Sequence, residues 1–369
     1  MKISWPGLAV APLIVVAVSA TLCSPPAHAQ QTELMPIYTA EQVMQGLYGH
    51  FLPAQARTFQ EHAEKLAVQT GQYCQRQNKL TELHSQWQQT MVAWEVLSTP
   101  AVGPVLTRRS QRQIDFWPTR PALLQKAIAK DPQTLVAMET VGTPAKGLPA
   151  VEYLLLAWSK PDRSPTGPAP DSCRFAELVT EGIVAEARVL NADLAALAAH
   201  DWQASPEATA AAMSEWVNQW LAAAEKLRWA HIEKPIRAAQ GAGVASASEP
   251  LPFARLGRDS NLMGWRAQWR SLLAQARLTS EQKLVPPQAG QAAIPVEAIL
   301  IGKGRLELAK RWTQALDQVS AELNRLTPES SSGALLALAQ SLKVVTLLFQ
   351  NEISPALDIP IGFSDADGD

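Results

Sequence analysis

Apolar residues recur at helical spacing through almost the whole chain, and nowhere do they alternate with polar ones for long enough to make a convincing strand. Leu83, Trp87, Met91 and Trp94 follow one another at steps of four, four and three, which places them on one face of an α-helix. A stripe of that kind has to be buried against another element, so the chain is confined to helix-on-helix architectures. Similar patterning predicts helices over 53–78, 81–98, 121–130, 132–141, 150–158, 175–200, 206–240, 296–326 and 333–353, with one more opening at an Asp259-Ser260 cap. Stretches rich in Pro, Gly and small residues at 100–117, 160–172, 241–252 and 286–295 interrupt the pattern. The expected fold is all-α: two packed antiparallel helical-bundle domains, residues 30–204 and 205–369. Each half carries paired Trp, and their coarse likeness suggests a pseudo-repeat.

With 47% hydrophobic and 18% charged residues, the chain has enough apolar material for a sizeable core. A balance of 32 Lys+Arg against 34 Asp+Glu excludes a mainly electrostatic nucleic-acid or polybasic membrane binder. Residues 1–29 read as a signal peptide: Lys2, an apolar run from Leu8 to Leu22, and Ala27-His28-Ala29 before Gln30. Lipidation at Cys23 is the rival reading, disfavoured by the large Leu22 before it. No later stretch is expected to span a bilayer, so the mature chain is placed in the periplasm or cell envelope. There its two remaining cysteines, Cys74 and Cys173, are expected to form a disulfide.

The common catalytic signatures are missing: there is no H-E-x-x-H, Walker loop, G-x-S-x-G or dinucleotide fingerprint. His62 with Glu64, and His231 with Glu233, stand two apart on different helix faces and make poor chelating pairs. More informative is the run from Gly147 to Trp158, apolar apart from Glu152 and Tyr153. On a helix Glu152 lies among Leu148, Leu155 and Leu156, so it is expected to be buried. A buried carboxylate needs a cation, a metal or several hydrogen bonds, or else it takes up a proton. Arg112 is the expected partner if the role is structural; otherwise Glu152 is a metal or ligand carboxylate.

The segment Gly147-Leu-Pro-Ala-Val-Glu-Tyr-Leu-Leu155 resembles the signature of the imelysin-like family, bacterial envelope proteins grouped with peptidase M75. The Trp87-to-Glu95 helix, Arg112-Gln-Ile-Asp-Phe-Trp-Pro118 and the tail Ile361 to Asp369 are similar to that family as well. The resemblance implies two helical bundles with a site in the cleft between them and an envelope role linked to iron uptake. In the family's hallmark, Gly-x-His-x-x-Glu, the His and Glu are proposed metal ligands. Gly147 and Glu152 match it, but Pro149 stands where the His would be, so imidazole ligation does not carry over.

The matching segments supply further candidates. Arg108, Arg109 and Arg112 are suited to an anionic ligand, or to pairing with Glu152 and Asp115. Trp94, Glu95 and Trp117 are candidate pocket residues. Asp365, Asp367 and Asp369 offer hard oxygen ligands, so iron, zinc or calcium is the expected metal, held by Glu152, Asp367 and Asp369. The leading expectation is an accessory protein that binds a metal or small anionic ligand and works with other envelope iron-uptake proteins. A metallopeptidase of the M75 type and a non-catalytic interaction scaffold are the alternatives.

Overall fold

Indole N–H groups tie this chain together across helix boundaries. In this computed structural model, which describes residues 1–3, 7, 34–160, 168–241 and 251–362, the helices follow the apolar stripes closely. The first half holds α1 (Ala40–Gly46), α2 (Leu52–Cys74), α3 (Leu80–Leu97), α4 (Pro104–Thr107), α5 (Ser110–Ile114), α6 (Pro121–Ala129), α7 (Leu135–Glu139), α8 (Gly147–Trp158) and α9 (Pro170–Ala198). The second holds α10 (Pro206–Glu225), α11 (Lys234–Gly241), α12 (Arg258–Ala276), α13 (Ser280–Leu284), α14 (Val296–Gly302), α15 (Leu306–Arg325), α16 (Ser332–Leu348) and α17 (Ser354–Ala356). Three π-helical turns, Leu47–Phe51, Lys226–Glu233 and Phe349–Ile353, run on from α1, α10 and α16. No strand occurs among the described residues.

Helix α2 packs against α3 and α9, and α8 lies against both of the latter. In the second half α16 packs on α10, α15 and the Lys226–Glu233 turn, and α12 reaches across to α3. The described residues from Leu34 onward form one unit by their contacts. Trp87 Nε1 donates to the Leu148 carbonyl of α8 at 3.0 Å. Trp220 and Trp312 donate to the Leu272 and Ala276 carbonyls near the end of α12. Carbonyls in the last turn of a helix have no intrahelical partner, so the Ala276 contact satisfies a group that would otherwise be orphaned.

The departures from the expected spans have local causes. Helix α8 starts at Gly147, ahead of the expected 150, because Pro149 is tolerated in a first turn whose N–H groups have no intrahelical acceptor. Gly147 has φ +70°, and a Cβ there would lie 2.2 Å from the Ile114 carbonyl oxygen, so only glycine fits. The stretch 296–326 is two helices, broken at Gly304 with φ +72°. Helix α12 opens at Arg258, capped by Gly257, so Asp259 and Ser260 lie inside its first turn. Ser332–Ala356 is, by length and composition alone, apolar enough to cross a membrane, which the sequence reading did not expect. Here its stripe of Leu335, Leu338, Leu342 and Val345 is buried in the protein. The leader expected over 1–29 lies outside the described residues apart from 1–3 and 7.

Cys74 and Cys173 form a disulfide that joins the end of α2 to the start of α9 across 99 residues of sequence. Closing so long a loop removes chain entropy from the unfolded state. The Cys74→Ser, Cys173→Ser variant is therefore expected to lose about 4 kcal/mol in denaturant unfolding. Non-reducing peptide mapping of the wild type should return the two cysteines in one linked fragment.

Candidate functional site

Four charged side chains, widely separated in sequence, meet in the interior. Arg255, from the segment that leads into α12, donates from Nη1 and Nη2 to the two oxygens of Asp115 at 2.5 and 2.6 Å. Its Nη2 also donates to Glu95 Oε1 at 2.6 Å. All three side chains are at most 5% exposed. Glu152 completes the group from the middle of α8 and is 1% exposed. Its Oε1 accepts from the backbone N–H groups of Leu256 and Gly257 at 3.0 and 3.2 Å. Its Oε2 is buried with no hydrogen-bond partner.

The local structure holds these groups in place. Asn261, in the first turn of α12, accepts from the Arg255 N–H and donates to the Arg255 and Gly257 carbonyls, which clamps the segment 255–257. Gly264, Gln268 and Ser271 lie on one face of α12 at steps of four and three, and that face seats the end of α3. A Cβ on Gly264 would come within 3.5 Å of Glu95 Oε1. Gln268 Nε2 donates to Glu95 Oε2 at 2.7 Å, and Ser271 donates to the Val96 carbonyl.

The π-helical turn supplies two more groups. Its i to i+5 bonding brings Lys226 and His231 toward one side. His231 is 4% exposed, packs edge-on against Trp117 at 4.8 Å, and its Nε2 has no partner. Burial, with Lys226 and Arg255 nearby, holds its imidazole well below the ordinary histidine range, so it is neutral at physiological pH. Burial also lowers the Lys226 ammonium, against the pull of Glu95 and Asp115. Burial raises Glu152, which Arg255 and the two backbone N–H groups only partly offset. Glu95 is raised by burial too, with Arg255 opposing and Asp115 adding to the shift.

Of the residues expected from sequence, Glu95, Asp115 and Glu152 come together, and Trp117 joins them through His231. Arg112 is exposed on α5, and the cation beside Glu152 is Arg255. Arg108 is taken up by Glu186, and Arg109 is an exposed residue with φ +54° before α5. Trp94 is fully buried against Phe59 with its Nε1 unpartnered. Asp365, Asp367 and Asp369 lie outside the described residues. Sequence reasoning missed Arg255 and Lys226, and weighed His231 only as a chelating partner of Glu233. Arg255 carried a usable signal, since it is the lone charge between Leu251 and Leu256, as Glu152 is in α8.

These side chains do not fit a metal centre with about three protein ligands. Among the described residues, no group of three or more His, Cys, Asp and Glu is arranged to hold a metal ion. Both Asp115 oxygens and both Glu95 oxygens already accept hydrogen bonds, one Glu152 oxygen is held by peptide N–H groups, and Pro149 offers no donor atom.

The profile of imelysin, peptidase M75, matches residues 52–351. An imelysin-like protein from Psychrobacter arcticum 273-4 superposes with a TM-score of 0.65 at 16% identity, covering 89% of this chain and 100% of its own. A protein from Parabacteroides distasonis ATCC 8503 named "putative iron-regulated protein A precursor" does so with a TM-score of 0.67 at 16% identity, covering 85% and 96%. At that identity the likeness shows the fold alone. No curated protein matches significantly.

Two outcomes follow from this geometry. Replacing Arg255 by Met leaves Glu95 and Asp115 buried without their cation and should cost about 3–5 kcal/mol in denaturant unfolding. For Glu152, the folded pKa lies above the ordinary value of 4.5, so its favourable contribution is complete below that value and is lost as pH rises through the folded pKa. Glu152→Gln removes that loss. Its melting temperature should therefore gain on the wild type as pH rises, which a pH series of thermal melts would register.

Proposed function

This chain belongs to the imelysin family, and from that premise we propose that it is an envelope protein that binds a small ligand between its two helical halves. The observation that carries the reading is the unpartnered Oε2 of Glu152. A buried oxygen with no hydrogen bond is costly to keep, and such groups mark places where a ligand, ion or proton completes the bonding. Its neighbours come from both halves: α3, the end of α5 and α8 from one, the segment before α12 and the π-helical turn from the other. The placement in the envelope rests on the leader read over residues 1–29 and on the family. The link to iron uptake rests on the family resemblance and on the name carried by the Parabacteroides protein.

Binding is favoured over M75-type peptidase activity because Pro149 replaces the His of the hallmark, which leaves Glu152 without the second donor expected on its own helix. An exclusively protein-binding scaffold has no use for an incompletely bonded acid in its interior. The test is native mass spectrometry of protein purified from the envelope, beside thermal melts with added Fe³⁺, Zn²⁺ and Ca²⁺ and an assay on a denatured polypeptide. The wild type should carry or be stabilised by a ligand that Glu152→Gln does not hold. Polypeptide cleavage that requires a metal and Glu152 would overturn the binding reading.

A further inference from the structure

A cavity of about 270 Å³, which Glu152 does not line, opens between α7, the start of α8 and α9. Helix α9 supplies one wall through Leu178, Val179 and Ile183, and α7 adds Leu135 and Met138. Gly182 lies among these apolar residues in the middle of a 29-residue helix, and a Cβ added there meets nothing within 4 Å. Glycine disfavours a helix interior, yet here it leaves the cavity wall without a side chain.

Three charged side chains border the same cavity: Glu139 at the end of α7, Lys146 just before α8, and Glu186 on α9. Glu186 is already satisfied, because it accepts from Arg108 Nε and Nη2 at 3.1 and 2.8 Å and from Ser110 Oγ at 2.6 Å. Lys146 and Glu139 make no salt bridge or side-chain hydrogen bond with a described residue. They are close enough to feel each other: burial holds the Lys146 ammonium below the ordinary lysine range, and Glu139 opposes that shift. With Glu186 neutralised by Arg108, the cavity is left with one positive and one negative group, neither of them bonded.

We propose that this cavity binds a free apolar α-amino acid, its carboxylate on Lys146, its ammonium on Glu139 and its side chain against the α9 wall. This site goes beyond the Glu152 reading, and neither depends on the other. The charge balance selects the ligand class. A simple anion on Lys146 would face Glu139, and a simple cation on Glu139 would face Lys146. A zwitterion with both charges on one carbon satisfies the two groups together through charge-assisted bonds. The walls call for an aliphatic or thioether side chain, and the volume, at the small end of the range for ligand pockets, calls for a single residue such as leucine.

Isothermal titration of the purified protein with leucine, glycine, 4-methylpentanoate and isopentylamine tests the proposal. The last three keep, in turn, both charges, the carboxylate alone and the ammonium alone. Leucine should bind more tightly than each by about tenfold or more, the scale of one charged hydrogen bond or one buried aliphatic side chain. Lys146→Met should erase the preference for leucine over isopentylamine, and Glu139→Gln the preference over 4-methylpentanoate. Gly182→Leu, which fills the cavity from its wall, should abolish binding while circular dichroism shows the helices retained. The proposal is overturned if the wild type does not bind leucine, or binds 4-methylpentanoate or isopentylamine equally well. Unchanged leucine affinity in folded Lys146→Met or Gly182→Leu protein overturns it too.

Discussion

A guanidinium with almost no solvent exposure sets the terms for the interior of this protein. Removing an ion from water costs several kcal/mol even after the protein relaxes, and only well-aligned opposite charge offsets it. Arg255 meets that requirement with two charge-assisted bonds to Asp115 and one to Glu95. Those acids lie 140 and 160 residues away in sequence, on the end of α3 and just beyond α5. The bonds therefore fix how α12 and its leading segment approach the first half, and the other close contacts follow. With Arg255 in place, the Leu256 and Gly257 N–H groups point at Glu152, Gly264 admits the Glu95 carboxylate, and Gln268 reaches its second oxygen. Removing any one of these charges exposes the rest to an unbalanced, low-dielectric setting.

Glu152 belongs to this group without being consumed by it. Asp115 and Glu95 have every oxygen engaged, and their purpose is met by the fold itself. Glu152 is held on one oxygen only, by peptide dipoles that orient it while leaving the other oxygen unbonded. The proposed site rests on that difference. It also decides what Pro149 means. In a helix that begins at Gly147, pinned beneath the Ile114 carbonyl, residue 149 lies in the first turn, where proline costs nothing in backbone bonding. The substitution therefore preserves the helix and its carboxylate while deleting the side-chain donor that the family's motif places there.

The sequence made the burial of Glu152 legible because a single acid in an apolar helix has no polar face to turn toward. The tryptophan stripe located α3, and the cysteine count located the disulfide. Arg112 looked like the partner because it was the nearest cation in a matching segment, yet α5 turns it outward. The true neighbour, Arg255, follows a run of small residues that reads as a linker, and nothing local ties it to acids in the other half. Lys226 and His231 were hidden for another reason. On a regular α-helix, residues five apart point in different directions, and a π-helical turn has no compositional signature that would bring them together.

The Arg255 cluster saturates most of its own acceptors and leaves few groups nearby without partners. With an imidazole on α8 beside Glu152, that corner would offer two adjacent lone-pair donors, the kind of pair a divalent metal seeks. With proline there, the groups left unbonded include Glu152 Oε2 on α8 and His231 Nε2 on the π-helical turn. The few side chains that the Arg255 cluster leaves unbonded are therefore the groups that the ligand proposed at Glu152 would meet, and the cluster's own contribution is to keep them buried and fixed.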